Sequence, residues 1–164
     1  MRDLLDAPCG WGRLVPAFGS RVERVTLVDL DPERLDLVER LGLSRGASRV
    51  RADLLALPLR SGAFDFVLSA HLNYHLPTRA ARIAHFEECL RVARRAVLLS
   101  VHSPLSPRRA LRGLGSPLRS RPPMRTLSTG LARATARERG FALEEVFTLS
   151  RFSGHRYLFF RARA

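Results

Sequence analysis

Residues 4–18 read LLDAPCGWGRLVPAF. The apolar run Leu4 to Ala7 is a clipped strand, Gly10 and Gly12 supply a turn without side chains, and a short helix is predicted from about Gly12 to Phe18. A strand that ends in a bare turn and opens a helix lets a ligand come close to the backbone and meet unpaired amide groups. Asp6 closes the strand, where a carboxylate attracts a cationic group.

Outward from this stretch, short apolar runs alternate with helical patterns, the signature of a parallel sheet with crossover helices. RVTLVDL is a second strand ending at Asp29. In DPERLDLVERLG, Asp31 caps a helix, Pro32 suits its first turn, Leu35, Val38 and Leu41 form its apolar stripe, and Gly42 ends it. A weak third strand falls near Arg49 to Ala52, and GAFDFVLSA is the fourth. A helix from about Thr78 to Val92, with Ile83, Phe86 and Leu90 on one stripe, leads into RAVLLSVHS, the fifth strand. Residues 103–125 hold five prolines and six arginines without an acid, which predicts an extended basic loop. A helix from about Leu127 to Arg139 follows, and then FALEEVFTL and HRYLFFRAR are joined so tightly that they form an antiparallel hairpin.

Composition bounds the function classes. A chain of 164 residues with 46% hydrophobic content suits one domain, residues 1–164, with an ordinary core. Its apolar runs are far shorter than the roughly 20 residues that cross a bilayer, and acids at positions 3 and 6 interrupt any signal-like run, which points to a cytoplasmic protein. Cys9 and Cys89 are too few for a disulfide framework and lack metal-ligand spacing, so no metal site is expected. The net charge of +13 invites a nucleic-acid reading. That partner is disfavoured: all 28 basic residues are Arg, and aromatic residues interleaved with them are scarce. The excess is uneven, with ten Arg against nine acids in residues 1–60 and eighteen against six thereafter.

Taken together, LLDAPCGWGR, VTLVDLD, RADLLALPLRSGAFDFVLSAHLNYHLP, ECLRVARRAVLLSV and a Gly-Phe before the terminal hairpin resemble the class I S-adenosylmethionine-dependent methyltransferases. The resemblance runs over nearly the whole chain in the family's order. It implies an α/β, Rossmann-like doubly wound sheet, mostly parallel, with an antiparallel C-terminal hairpin strand and strand order 3-2-1-4-5-7-6. A nicotinamide-binding fold is the rival, but its GxGxxG fingerprint fails because Val15 stands at the third position.

S-adenosylmethionine is the cofactor so implied. Asp6, Ala7, Pro8, Cys9, Gly10 and Gly12 would hold its amino-acid end, with Pro8 where the family usually has Gly. Asp29, with Leu30 beside it, would accept from the ribose hydroxyls, and Asp31 is its rival. Asp53 would receive the adenine amino group while Leu54 packs on the ring, and Ser69, Ala70 and His71 would edge the pocket near the sulfonium. Trp11 reads as a lid or packing group.

Methyl transfer needs alignment and a dry site more than a dedicated base. Should a base be needed, His71 and His75 are the candidates, with Tyr74 between them and His102 behind. Packing competes with catalysis for His75. The acceptor is expected to be a small molecule, anionic ones included, since the arginines of 103–125, Arg151 and His155 could clamp phosphate or carboxylate. An RNA methyltransferase and a catalytically silent binding module are the alternatives. Family members carry helices ahead of the first strand, whereas this chain begins almost on it; sheet surface left open there would favour dimerisation.

Overall fold

A computed structural model describes residues 2–18, 21–43, 46–102, 127–148 and 154–163. In chain order the elements are β1 (Asp3–Asp6), α1 (Val15–Phe18), β2 (Arg24–Asp29), α2 (Pro32–Arg40), β3 (Ser48–Arg51), β4 (Phe64–Ser69), a 3-10 turn (Asn73–His75), α3 (Arg79–Val92), β5 (Ala93–His102), α4 (Thr129–Glu138), β6 (Phe141–Thr148) and β7 (His155–Ala162). One sheet holds all seven strands in the order β3-β2-β1-β4-β5-β7-β6. Strands β1 to β5 pair in parallel, while β7 runs antiparallel to both β5 and β6. This is the doubly wound arrangement that the sequence implied. The basic loop at 103–125 and Arg151 lie outside the described residues. Among the described residues, no helix is long and apolar enough to cross a membrane.

Local chemistry sets the helix ends. Asp31 caps α2 by accepting from the Glu33 N–H at 3.0 Å, and Pro32 takes the first helical position, where no donor is missed. Thr78 caps α3 through the Ala81 N–H, and Ser128 caps α4 through the Leu131 N–H. Three predicted details shift. Helix α1 starts at Val15 rather than Gly12, because Gly12 is held in a left-handed turn at φ +70°. Leu41 is exposed, since it sits past the last turn of α2, where the helical phase no longer aims it at Leu35 and Val38. Leu127 precedes α4 and is buried in the core beside Ala132, on the inner side of the Ser128 cap.

The main core lies between the sheet and helices α3 and α4. Val97, Leu99, Leu158 and Phe160 from the strands meet Phe86, Leu90 and Ala136 from the helices. The Phe86 and Phe160 rings stand 4.9 Å apart with no exposure, so one contact joins α3 to the hairpin. A smaller cluster of Cys9, Leu27, Leu35 and Val38 seats α2 on the first two strands. At the sheet's amino edge, Asp65 accepts from the Arg94 guanidinium and from the Arg2 N–H, which ties β4 to β5 and β1. Phe86→Ala should cost about 3–5 kcal/mol of stability in urea unfolding, because the cavity opens where nothing can collapse into it.

Candidate active site

The carboxyl edge of the parallel strands gathers the predicted cofactor residues. Beyond β1 the chain turns through Gly10 at φ +54° and Gly12 at φ +70°, a conformation that side-chain-bearing residues adopt only with strain. Asp29, at the end of β2 and almost fully buried, accepts from the Gly10 N–H at 2.9 Å through Oδ2 and from the Asp31 N–H at 3.0 Å through Oδ1. Each oxygen therefore keeps a lone pair for a further donor. Asp31 caps α2 and pairs with Arg34, so its carboxylate is already engaged.

Asp6 is different. It is 1% exposed, and among the described residues neither carboxylate oxygen has a hydrogen-bond partner. Burial first, and then the neighbouring charge of Asp29, push its carboxyl up to about 7. Burial likewise pushes the Cys9 thiol up to about 12, with Asp6 and Asp29 adding to it. Cys9 is therefore inert as a nucleophile.

A cleft of about 580 Å³ opens at this edge, lined by Asp29 and Pro8 but not by Asp6, Cys9, Gly10 or Gly12. Pro8, Asp29, Leu30, Asp53, Leu54, His71 and His75 are on its lining. Asp53 accepts from the Leu55 N–H at 2.9 Å and keeps its other oxygen at the rim. Sequence reasoning missed Arg34, Leu55, Leu72 and Leu76 on this lining; Arg34 follows from its spacing to Asp31, and the leucines carry no signal beyond their hydrophobicity. Of the predicted site residues, Asp6, Ala7, Cys9, Gly10, Gly12, Ser69, Ala70 and Tyr74 are not on this lining, and Asp6, Ala7, Cys9, Ser69, Ala70 and Tyr74 are buried. Ser69 faces inward, its Oγ 3.1 Å from His85 Nε2, so it supports the wall rather than edging the pocket. Trp11 is half exposed, with the Arg34 guanidinium 5.5 Å from its ring centroid.

His71 adopts φ +61°, and its N–H donates to Ser100 Oγ at 2.6 Å. Its Nδ1 lies 2.7 Å from the Tyr74 hydroxyl and its Nε2 3.4 Å from that of Tyr157. Burial holds His71 below the usual imidazole range, with Arg13 and His75 adding to the effect. Tyr157 was also missed, although the antiparallel sense of β7 places its first residues at this edge. Among the described residues, no cluster of three or more His, Cys, Asp or Glu is arranged to hold a metal.

The methyltransferase domain model matches residues 5–101, which takes in the turn, the cleft and β5. The chain belongs to that family. This methyltransferase domain has the class I architecture, and the family's cofactor is S-adenosylmethionine. It is 31% identical to ajmaline N-methyltransferase of Rauvolfia serpentina over 133 residues, 70% of this chain and 45% of that one. The chain thus spans less than half the length of that curated relative. Among solved structures, the magnesium protoporphyrin IX methyltransferase of Synechocystis with bound SAH superposes with a TM-score of 0.77 at 20% identity, covering 98% of this chain and 74% of that one. An S-adenosylmethionine-dependent methyltransferase from Clostridium acetobutylicum gives a TM-score of 0.75 at 12% identity, covering 99% and 85%.

The residues present fit the family's cofactor. A buried carboxylate without a partner stands beside a glycine turn, and a Cβ added at Gly10 would meet no protein atom within 4 Å. The two glycines make different predictions. A Cβ at Gly12 would lie 2.9 Å from Val38 Cγ2, so Gly12→Ala should lose about 2–4 kcal/mol in urea unfolding. Gly10→Ala carries only the backbone strain of about 1–2 kcal/mol, and its effect should appear as weakened cofactor binding.

Proposed function

We propose that this domain transfers a methyl group from S-adenosylmethionine to a small-molecule acceptor. The orphaned Asp6 carboxylate carries the reading. A buried acid with no donor costs stability unless a cation arrives, and the ammonium of the cofactor's methionine end is such a cation. Asp6, Ala7, Pro8, Cys9, Gly10 and Gly12 would shape that end of the site, Asp29 would accept from the ribose hydroxyls, Asp53 from the adenine amino group, and Leu30 and Leu54 would pack on either side. The bound cofactor supplies an electrophilic methyl on sulfur. The chain's own residues align the acceptor, exclude water and hold a proton. His71, His75 and Tyr74 are the candidates for that last task.

The curated relative and the Synechocystis neighbour are named for small-molecule acceptors, ajmaline and magnesium protoporphyrin IX, which supports a small-molecule acceptor here.

Calorimetric titration with S-adenosylmethionine and with its demethylated product tests the reading. Asp29→Ala should weaken both by about tenfold or more, the worth of charge-assisted hydrogen bonds to two hydroxyls; unchanged affinity would remove Asp29 from the site. Asp6 adds a pH signature. Its folded pKa of about 7 lies above the ordinary carboxyl value of 3.8, so between those limits the folded state holds more protons than the unfolded one. Stability of the cofactor-free domain should therefore fall as pH rises from about 4 to about 7, by an amount on the order of 4 kcal/mol. Affinity for the cationic cofactor should rise over the upper part of that window, and Asp6→Asn should abolish both trends.

A further inference from the structure

The amino edge of the sheet holds a second cavity, and the register of three strands explains it. Phe66 of β4 pairs with Ala96 of β5, and Ala96 pairs with Arg161 of β7. Two residues further along, Leu68, Leu98 and Phe159 form the next such row. Paired residues share a face of the sheet. Ala96 is the small member of its row, so room is left between Phe66 and Arg161. A cavity of about 560 Å³ opens at this place, with Phe66, Ala96 and Phe159 on its lining.

This face lies outside both hydrophobic cores, for neither cluster includes Phe66, Leu98 or Phe159. Helices α3 and α4 cover the opposite face, over Val97, Leu99, Leu158 and Phe160. The Phe66 and Phe159 rings stack with centroids 6.4 Å apart and planes 29° from parallel, and both are only partly buried. They make an aromatic floor that solvent still reaches.

Charge surrounds that floor. From Phe64 to Phe66, β4 takes two steps where its partners on β5, Ala93 and Ala96, are three apart. This bulge breaks the alternation of β5 and brings the consecutive Arg94 and Arg95 both to the lining. Arg161 and Arg163 join them, against one acid, Asp65. Asp65 is engaged already, accepting from Arg94 Nε at 3.1 Å and from the Arg2 N–H at 3.0 Å. Arg161 pairs with Glu144 at 2.9 Å and lies 5.7 Å from the Phe159 ring centroid. Arg95 and Arg163 are exposed, and among the described residues neither guanidinium has a hydrogen bond or an ion pair. A second copy docked face to face would set arginines against arginines, so the occupant brings negative charge.

We propose that this cavity binds a small planar aromatic anion, with its ring on Phe66 and Phe159 and its acidic group held by Arg95 and Arg163. Offset rings attract beyond their buried area, and the guanidinium fork matches the oxygens of a carboxylate, sulfonate or phosphate. The volume suits such a ligand, since small-molecule sites span roughly 300–1,000 Å³. The cavity shares no residue with the cofactor cleft and does not depend on the methyltransferase reading.

The probes are anilinonaphthalene sulfonate, which fluoresces when its rings leave water, and its neutral parent phenylnaphthylamine. Titrated into the folded domain, the sulfonate should bind at least about tenfold more tightly than the neutral compound. Reversing both free charges, Arg95→Glu with Arg163→Glu, should remove that preference and leave the neutral compound's affinity within about twofold; both positions are exposed, so the fold is retained. Ala96→Leu fills the depression and should weaken both probes. Raising the salt from about 50 mM to about 500 mM should weaken the sulfonate alone. Saturation with the demethylated cofactor should change neither titration. Equal affinity for the two probes, a sulfonate indifferent to the charge reversal or to Ala96→Leu, or its displacement by the demethylated cofactor would each overturn the proposal. Failure of the domain to bind that cofactor would instead overturn the methyltransferase reading, so the two failures separate.

Discussion

One buried carboxylate organises the carboxyl edge. Asp29 receives the N–H of Gly10 from the loop after β1 and the N–H of Asp31 from the loop after β2, so a single side chain sets the spacing of two strand ends and the start of α2. Arg34 reaches it at 3.7 Å from the first turn of that helix. The turn through Gly10 and Gly12 is held as well by the Cys9 N–H on the Val28 carbonyl at 2.8 Å and by the Gly12 N–H on the Cys9 carbonyl at 3.0 Å. The cleft, the cap of α2 and the exposure of Leu30 all follow from where that carboxylate stands.

The anchor also creates tension. Asp6 and Asp29 are both buried at the ends of adjacent strands, and the repulsion between them raises the Asp6 carboxyl further than burial alone would. Charges of like sign in a medium of low polarisability are tolerated when a cation joins them. Under the proposed function, a cationic cofactor would relieve this repulsion and so couple its binding to folding stability. His71 lines the cleft and also meets the Tyr74 and Tyr157 hydroxyls, at 2.7 Å and 3.4 Å.

The cap of α2 and the ends of α3 and α4 were legible because they rest on local signals, Asp31 with Pro32, Thr78 at the start of α3 and Gly140 before the hairpin, whereas the sheet order came from the resemblance. Periodicity gives the phase of a helix and not its end, which is why Leu41 and Leu127 changed roles. Polar residues misled in a different way. Ser69 reads as a site residue, yet it joins an interior network, with its Oγ 3.1 Å from His85 Nε2 and Asn73 Nδ2 3.2 Å from His85 Nδ1 and 2.9 Å from the Arg82 carbonyl. No sequence pattern marks such a network, since its members come from β4, the 3-10 turn and α3. Much of the cleft was readable: Pro8, Asp29, Leu30, Asp53, Leu54, His71 and His75 all reach its lining. Tyr157 escaped because its importance arises from pairing between strands far apart in the chain.

That pairing makes parity matter in the terminal hairpin. Tyr157 and His155 face the same way as Ser100 and His102 only because β7 meets β5 in one frame, and neighbouring residues along a strand point to opposite sides. Gaining or losing an odd number of positions ahead of Tyr157, without compensation, would send both rings into the helical layer and bring Arg156 and Leu158 to the reactive edge. Among the described residues, the hairpin carries a bulge between Leu143 and Glu145 in β6, the strand that does not touch β5. Length changes compatible with the chemistry are therefore the even ones, a constraint on how this hairpin can diverge that no individual side chain reveals.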